Sequence, residues 1–234
     1  PKPGGAGKGQ RHALDAPAAA WQAEQARTVQ EGWGAAYLAR QDADGRWGGG
    51  LYSPKWTSTT YTLLMLRQIG IPRDCAAAQR GAALLLDGML GATCDDKFHR
   101  KLADCDRCIV GMLLSLAVYF QIDDARADAR AGARIDAIIE NVLHELMPDG
   151  AWNCRKHRRP YPAHSSFHTT LNVLDGVRDA IELRPGAYQS DLRRAEAGAL
   201  ELLLQHHLFR SDKTGAVIHP QFAELSYPHY WHYN

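Results

Sequence analysis

Cysteine, histidine and aspartate crowd into two stretches of this chain. The first is Asp104-Cys105-Asp106-Arg107-Cys108; the second runs from Cys154 through His164 to His168. Thiolate, imidazole and carboxylate together are the ligand set of Zn2+. Cys108 and His168 each fall at the predicted start of a helix, where free N–H groups and the dipole favour a thiolate. The expected metal set is therefore Cys108, Cys154 and His168, with Asp106 or Cys105 as a fourth ligand. Three protein ligands and an open position would make the ion catalytic, and four would make it structural. Cys105-x-x-Cys108 is one half of a paired Cys-x-x-Cys site. The competing reading is plain: cysteine is often a small buried residue, and His168 caps its own helix.

Two further groups surround these stretches. Arg155-Lys156-His157-Arg158-Arg159 is a dense basic run, which reads first as a solvated loop and second as a phosphate-holding one. Tyr52, Trp56, Tyr61, Trp152, Tyr161 and Phe167 lie in the same loops and helix starts. For Trp152 core packing is at least as good a reading as ligand contact.

The elements that must position these residues are helical. Apolar residues recur with helical period, and no convincing alternating strand is present. Helices are predicted over 17–38, 58–69, 74–90, 108–120, 128–146, 166–183 and 188–208. Gly70-Ile71-Pro72, Pro148-Asp149-Gly150 and Arg184-Pro185-Gly186 punctuate them. Two of the intervening loops are alike: Asp44-Gly45-Arg46-Trp47 and Asp149-Gly150-Ala151-Trp152. Each leads to a Ser/Thr-rich helix start, Trp56-Thr57-Ser58-Thr59-Thr60 and His164-Ser165-Ser166-Phe167-His168-Thr169-Thr170. Glycine permits the tight turn, tryptophan packs between neighbouring hairpins, and the hydroxyls cap the next helix. Units of roughly 50 to 60 residues that cannot bury their own faces must stack.

Composition sets the outer bounds. The chain has 234 residues, 45% of them hydrophobic and 23% charged, enough for one soluble domain with a real core. A net charge of +1 implies no general attraction to nucleic acid. Neither a signal peptide nor a bilayer-length apolar run is present, and five cysteines is an odd number, so reduced thiols in the cytoplasm are expected. Residues 1–16 read as a flexible tail and 17–234 as one domain. The sequence starts without Met and stops on Trp231-His232-Tyr233-Asn234, from which a longer protein is expected, with the domain incomplete at its C-terminus.

Gln41…Asp44-Gly45-Arg46-Trp47-Gly48, with Pro148-Asp149-Gly150-Ala151-Trp152 lacking the Gln, resembles the prenyltransferase/squalene-cyclase repeat, from about Ala18 onward. That resemblance implies an α/α toroid, with inner helices around a central cavity. The chain holds about three and a half hairpins against roughly six in a closed ring, so further chain or a partner would complete it. Asp106-Arg107-Cys108 and His168-Thr169 are similar to the zinc site of protein prenyltransferase β subunits, with Asp104 a rival carboxylate. By the same resemblance, Arg100 and Lys101 would grip an isoprenoid diphosphate. Tyr52, Trp56, Tyr61 and Phe167 would line an isoprenoid cavity. The chain departs from that family where Ile-Val-Gly-Met follows Cys108 in place of an aromatic run, and Cys154 has no counterpart there. The Asp-x-Asp-Asp acid of class II terpene cyclases is missing; Asp123-Asp124 and Asp128 read better as a helix start. The expectation is an isoprenoid-binding protein, with zinc. The alternative is a non-catalytic helical-repeat domain that binds a protein and uses zinc structurally.

Overall fold

The computed structural model describes residues 18–122 and 129–223. The expected tail, the Asp123–Asp128 segment and the aromatic C-terminal run lie outside the described residues. Within them the chain is all-α: α1 Ala18–Arg27, α2 Gly32–Leu38, α3 Thr59–Gln68, α4 Ala76–Met89, α5 Asp96–Asp104, α6 Arg107–Tyr119, α7 Ala129–His144, α8 Phe167–Leu183 and α9 Gln189–Gln205. A 3-10 turn follows at Pro220–Ala223. Among the described residues the only extended pairing is two isolated bridges, Trp47 with Gly50 and Arg210 with Val217. No described helix is long and apolar enough to cross a membrane.

Most helix limits fall within a few residues of those the sequence predicts, with two corrections. The expected helix over 17–38 is two helices, because the chain turns at Gly32, the first residue of α2, with φ +67. The stretch before Cys108, expected as loop, contains α5. Asp95 caps it by accepting from the Phe98 N–H at 2.9 Å, and Phe98 and Leu102 are buried beneath it.

Packing follows a simple alternation. α6 and α8 pack closely, through glycines. A Cβ on Gly111 would come within 2.5 Å of the Asn172 carbonyl oxygen, and one on Gly176 within 2.6 Å of the Gly111 carbonyl oxygen. Further along, the Ser115 hydroxyl donates to Asp179 at 2.6 Å. The contact advances in the same direction along both helices, so α6 and α8 run parallel. α3 joins them at the far end: Arg67 forks onto both Asp179 oxygens at 2.7 and 2.8 Å, and the Tyr119 hydroxyl donates to the Ile71 carbonyl at 2.8 Å. The negative Asp179 outweighs burial and raises Arg67 above its ordinary value.

The intervening helices run back. α9 is antiparallel to α8, since Gln189 reaches the Arg184 carbonyl, Arg178 pairs with Glu196 at 2.8 Å, and Phe167 stacks on His206. α4 returns along α3 in the same way, with Gly81 against Trp47 and Gly88 against Leu51. One continuous apolar core joins the rows, including Leu63, Leu85, Phe98, Leu114, Ile138 and Val177. The consequence for chemistry is positional. Parallel helices bring their N-termini, and the loops feeding them, to one end.

Candidate thiol site

The site is built on the turn that the sequence repeats. Met147 N–H donates to the Ala151 carbonyl at 2.8 Å and Gly150 N–H to the Met147 carbonyl at 2.9 Å, with Gly150 at φ +90. Trp152 then drops into the core, fully buried, and its indole N–H donates to the Val142 carbonyl at 2.8 Å. That anchor delivers the next residues, Asn153 and Cys154, to the first turns of α6 and α8.

Cys154 Sγ accepts two hydrogen bonds there. One comes from the backbone N–H of Cys108 and one from the Thr169 hydroxyl, both at 3.2 Å. The Cys154 N–H in turn donates to Thr169 Oγ1 at 3.3 Å, so the loop is tied to α8 twice. The Cys108 and Cys154 thiols are close enough to shift one another in opposite directions. Cys154 lies well below an ordinary thiol, chiefly because Cys108 donates to it; Thr169 and the Cys108 N–H add to this against burial. Cys108, as donor and half-buried, is pushed up. Cys105, the C-cap residue of α5, is pushed up to about 11 by burial.

Arg107 fixes the other wall. Its guanidinium is buried and donates to the Leu102, Ala103 and Cys105 carbonyls and to Asn141 Oδ1 of α7. These carbonyls close α5, so the charge satisfies a helix C-terminus while setting the start of α6. Across the gap the basic run folds over. Arg158 pairs with Asp106, and His157 Nε2 lies 2.7 Å from Glu145 Oε2, with Lys156 Nζ at 3.6 Å. Burial drives Glu145 upward, but the His157 hydrogen bond and the Lys156 charge outweigh it and its carboxyl is lowered. A cavity of about 180 Å3 opens between these parts, bounded by Asp104, Cys105, Asp106, Asn153, Cys154 and Arg158 among others.

Of the expected metal set, Cys108 and Cys154 converge. Asp106 is the N-cap residue of α6, with its carboxylate on Arg158. His168 stands in the first turn of α8, one residue before Thr169, with its ring 5.3 Å from Phe222. Among the described residues no three His, Cys, Asp or Glu side chains form a ready-made metal cage. Donor chemistry nonetheless suits zinc at the sulfur pair, with a hydroxyl and a backbone N–H already orienting Cys154.

The other candidates are placed differently. Arg100 and Lys101 lie within α5 and do not border the thiol cavity. Tyr52, Trp56 and Tyr61 stack on one another at the start of α3, with ring centroids 5.6 and 5.0 Å apart. Phe167 packs on His206 at the end of α9. Tyr161 is exposed beneath the Arg159 guanidinium, and Trp152 is core. Sequence reasoning missed Thr169, Arg107 and the Arg158–Asp106 pair. Only Thr169 left a signal, in the hydroxyl-rich helix start.

Compared with family models, with curated proteins and with solved structures, the chain has no match in any of the three.

Proposed function

We propose that this chain is an arc of an α/α toroid of the prenyltransferase/squalene-cyclase type, carrying a zinc site at the N-terminal end of its parallel helices and binding an isoprenoid. The observation that supports it most is the meeting of Cys108 and Cys154 at the aligned starts of α6 and α8, where Thr169 and the Cys108 N–H hold one sulfur in place. In this reading α3, α6 and α8 are the inner helices and α4, α7 and α9 the outer ones. Cys108 and Cys154 would hold the metal, with His168 and Asp106 or Cys105 completing the set. A zinc ion bound there would supply Lewis acidity to a thiol, water or phosphate oxygen. The chain's own part is orientation. Thr169 fixes the Cys154 sulfur, Arg107 fixes the helix start carrying Cys108, and Arg158 holds Asp106 at the rim. Tyr52, Trp56, Tyr61 and Phe167 offer aromatic faces at the starts of α3 and α8, the same end of the helix row.

Elemental analysis of purified protein, with coordination number from X-ray absorption, tests the metal. A thermal-shift series with prenyl diphosphates and squalene tests the ligand, since a compound that binds only the folded state raises apparent stability. Zinc near one equivalent with a response to prenyl compounds is expected. Protein without zinc that ignores every such compound would sink the reading.

One observation favours a second reading. The cavity at the thiols, about 180 Å3, is below the roughly 300 Å3 at which small-molecule pockets begin, and charged groups border it. That suits a structural zinc in a helical-repeat domain that binds a protein partner. Four protein ligands by X-ray absorption would select it.

A further inference from the structure

The two sulfurs do not meet the cavity equally. Cys154 borders it together with Cys105, whereas Cys108 is not among its bounding residues. The Cys108 backbone N–H donates to the Cys154 sulfur at 3.2 Å, which brings the two cysteines together. A small solute entering the cavity therefore meets Cys154, with Cys108 as its neighbour. Neither residue is in a disulfide. Thr169 aims the front sulfur by donating to it from α8. The rim carries Arg158 and His157, cationic or hydrogen-bonding groups that suit an oxygen leaving with negative charge.

We infer that Cys154 and Cys108 form an oxidisable thiol pair, in which a hydroperoxide attacks through the cavity at Cys154 and Cys108 resolves the product to a disulfide. This goes beyond the zinc and isoprenoid reading and stands on the approach of Cys108 to the Cys154 sulfur and on the cavity that Cys154 borders. In the first step the Cys154 thiolate attacks a peroxide oxygen. The S–O bond forms, the O–O bond breaks, and the departing hydroxide takes a proton and leaves as water. Cys154 is then a sulfenic acid. In the second step the Cys108 sulfur attacks the Cys154 sulfur. The S–S bond forms, the S–O bond breaks, and hydroxide leaves as water with the proton that Cys108 gives up. Two thiols lose two electrons and two hydrogens, and one hydrogen peroxide becomes two waters. Intracellular disulfides are mostly transient and redox-sensing, and a partly exposed thiol with a resolving partner is their usual form. Where zinc occupies the pair, the same oxidation removes both sulfur ligands and releases the metal.

The test uses the full chain as purified, treated with stoichiometric hydrogen peroxide and then mapped by mass spectrometry under non-reducing conditions. A Cys108–Cys154 linked peptide is expected, with Cys75 and Cys94 unmodified. In Cys108→Ser, Cys154 should stop at sulfenic acid and be captured by dimedone. In Cys154→Ser, oxidation of Cys108 should be slower by about tenfold or more, because the front sulfur is gone. Dimedone capture first at Cys108, a dominant link through Cys105, or no link at all would each overturn the assignment. The linkage map on the unsubstituted chain needs no variant to fold. Metal content of untreated protein is read separately, so loss of this inference and loss of the zinc reading are distinguishable.

Discussion

The turn at residues 42–59 and the turn at residues 147–170 are the same object built twice. In each, a first N–H bonds forward over the turn: Asp42 to the Arg46 carbonyl and Met147 to the Ala151 carbonyl, both at 2.8 Å. Gly45 stands at φ +94 and Gly150 at φ +90. Trp47 and Trp152 are both buried, and each indole N–H donates at 2.8 Å to a carbonyl ten residues earlier, of Tyr37 and Val142. Each tryptophan N–H then donates to a threonine hydroxyl at the start of the next helix, Thr59 or Thr170. The difference lies between these anchors. They are 12 residues apart in the first turn and 18 in the second. Counted from the anchors, Gly49 occupies the place of Cys154 and Thr57 the place of His168. The longer second loop is the one that carries Arg155–Arg159, and with them the contacts to Asp106 and Glu145. The lesson is that the repeat holds the loops at one end of the helices, and whatever chemistry exists sits in residues the repeat does not constrain.

The largest effect tests whether the two anchors are equivalent. Trp47→Ala and Trp152→Ala should each cost about 3–5 kcal/mol, because both remove a buried ring together with its indole hydrogen bond. Urea denaturation monitored by circular dichroism measures this. A cost for Trp47→Ala far below that for Trp152→Ala would break the equivalence.

Backbone comes next. Gly45→Ala and Gly150→Ala place a Cβ where φ is positive, costing about 1–2 kcal/mol from conformation alone. Position 150 should suffer more. Its Cβ would meet the Gly198 backbone at 3.3 Å, whereas at 45 the nearest atom is a Leu84 methyl at 3.0 Å, the end of a side chain that can turn. Equal melting temperatures for the two variants would contradict that ordering.

Cys154→Gly gives the second turn the residue of the first. With metal absent, stability should change by no more than about 1–2 kcal/mol, the loss of a half-buried thiol and its hydrogen bonds. Zinc content should nevertheless fall. Undiminished zinc in this variant would show that the ligand set lies elsewhere.

The smallest effect is a pH dependence peculiar to the second turn. Glu145, bonded by His157 and Lys156 and near His144, has a carboxyl lowered from the ordinary 4.5. A lowered carboxyl contributes stability that is complete above the ordinary value and is lost as pH falls through the folded one. The position equivalent to Glu145 in the first turn is Arg40, which has no carboxyl. Glu145→Gln should therefore lower the melting temperature near neutral pH and flatten its fall in acid. An acid slope unchanged in Glu145→Gln would place the titrating carboxylate somewhere else.

What sequence alone determined is local. Helical period located most of the helices, and Asp-Gly-x-Trp announced both turns, because a positive-φ glycine and a large apolar ring are requirements written into single residues. The α5 helix escaped because it is short and polar, with only Phe98 and Leu102 marking its buried face. The break at Gly32 escaped because one glycine inside an apolar pattern does not by itself end a helix. The thiol site divides in the same way. Cys108 was legible as a candidate by type and by its position at a helix start, and Cys154 by type and by its place in the loop feeding the helix of His168. That they meet, 46 positions apart in the chain, was decided by α6 and α8 packing parallel through Gly111 and Gly176. Arg107 as the buried clasp of α5, Arg158 on Asp106 and Thr169 on the sulfur were decided there too. A side chain's type fixes what it can bond to, while its partner depends on the register of two helices far apart in the chain, and that register exists only once they are packed.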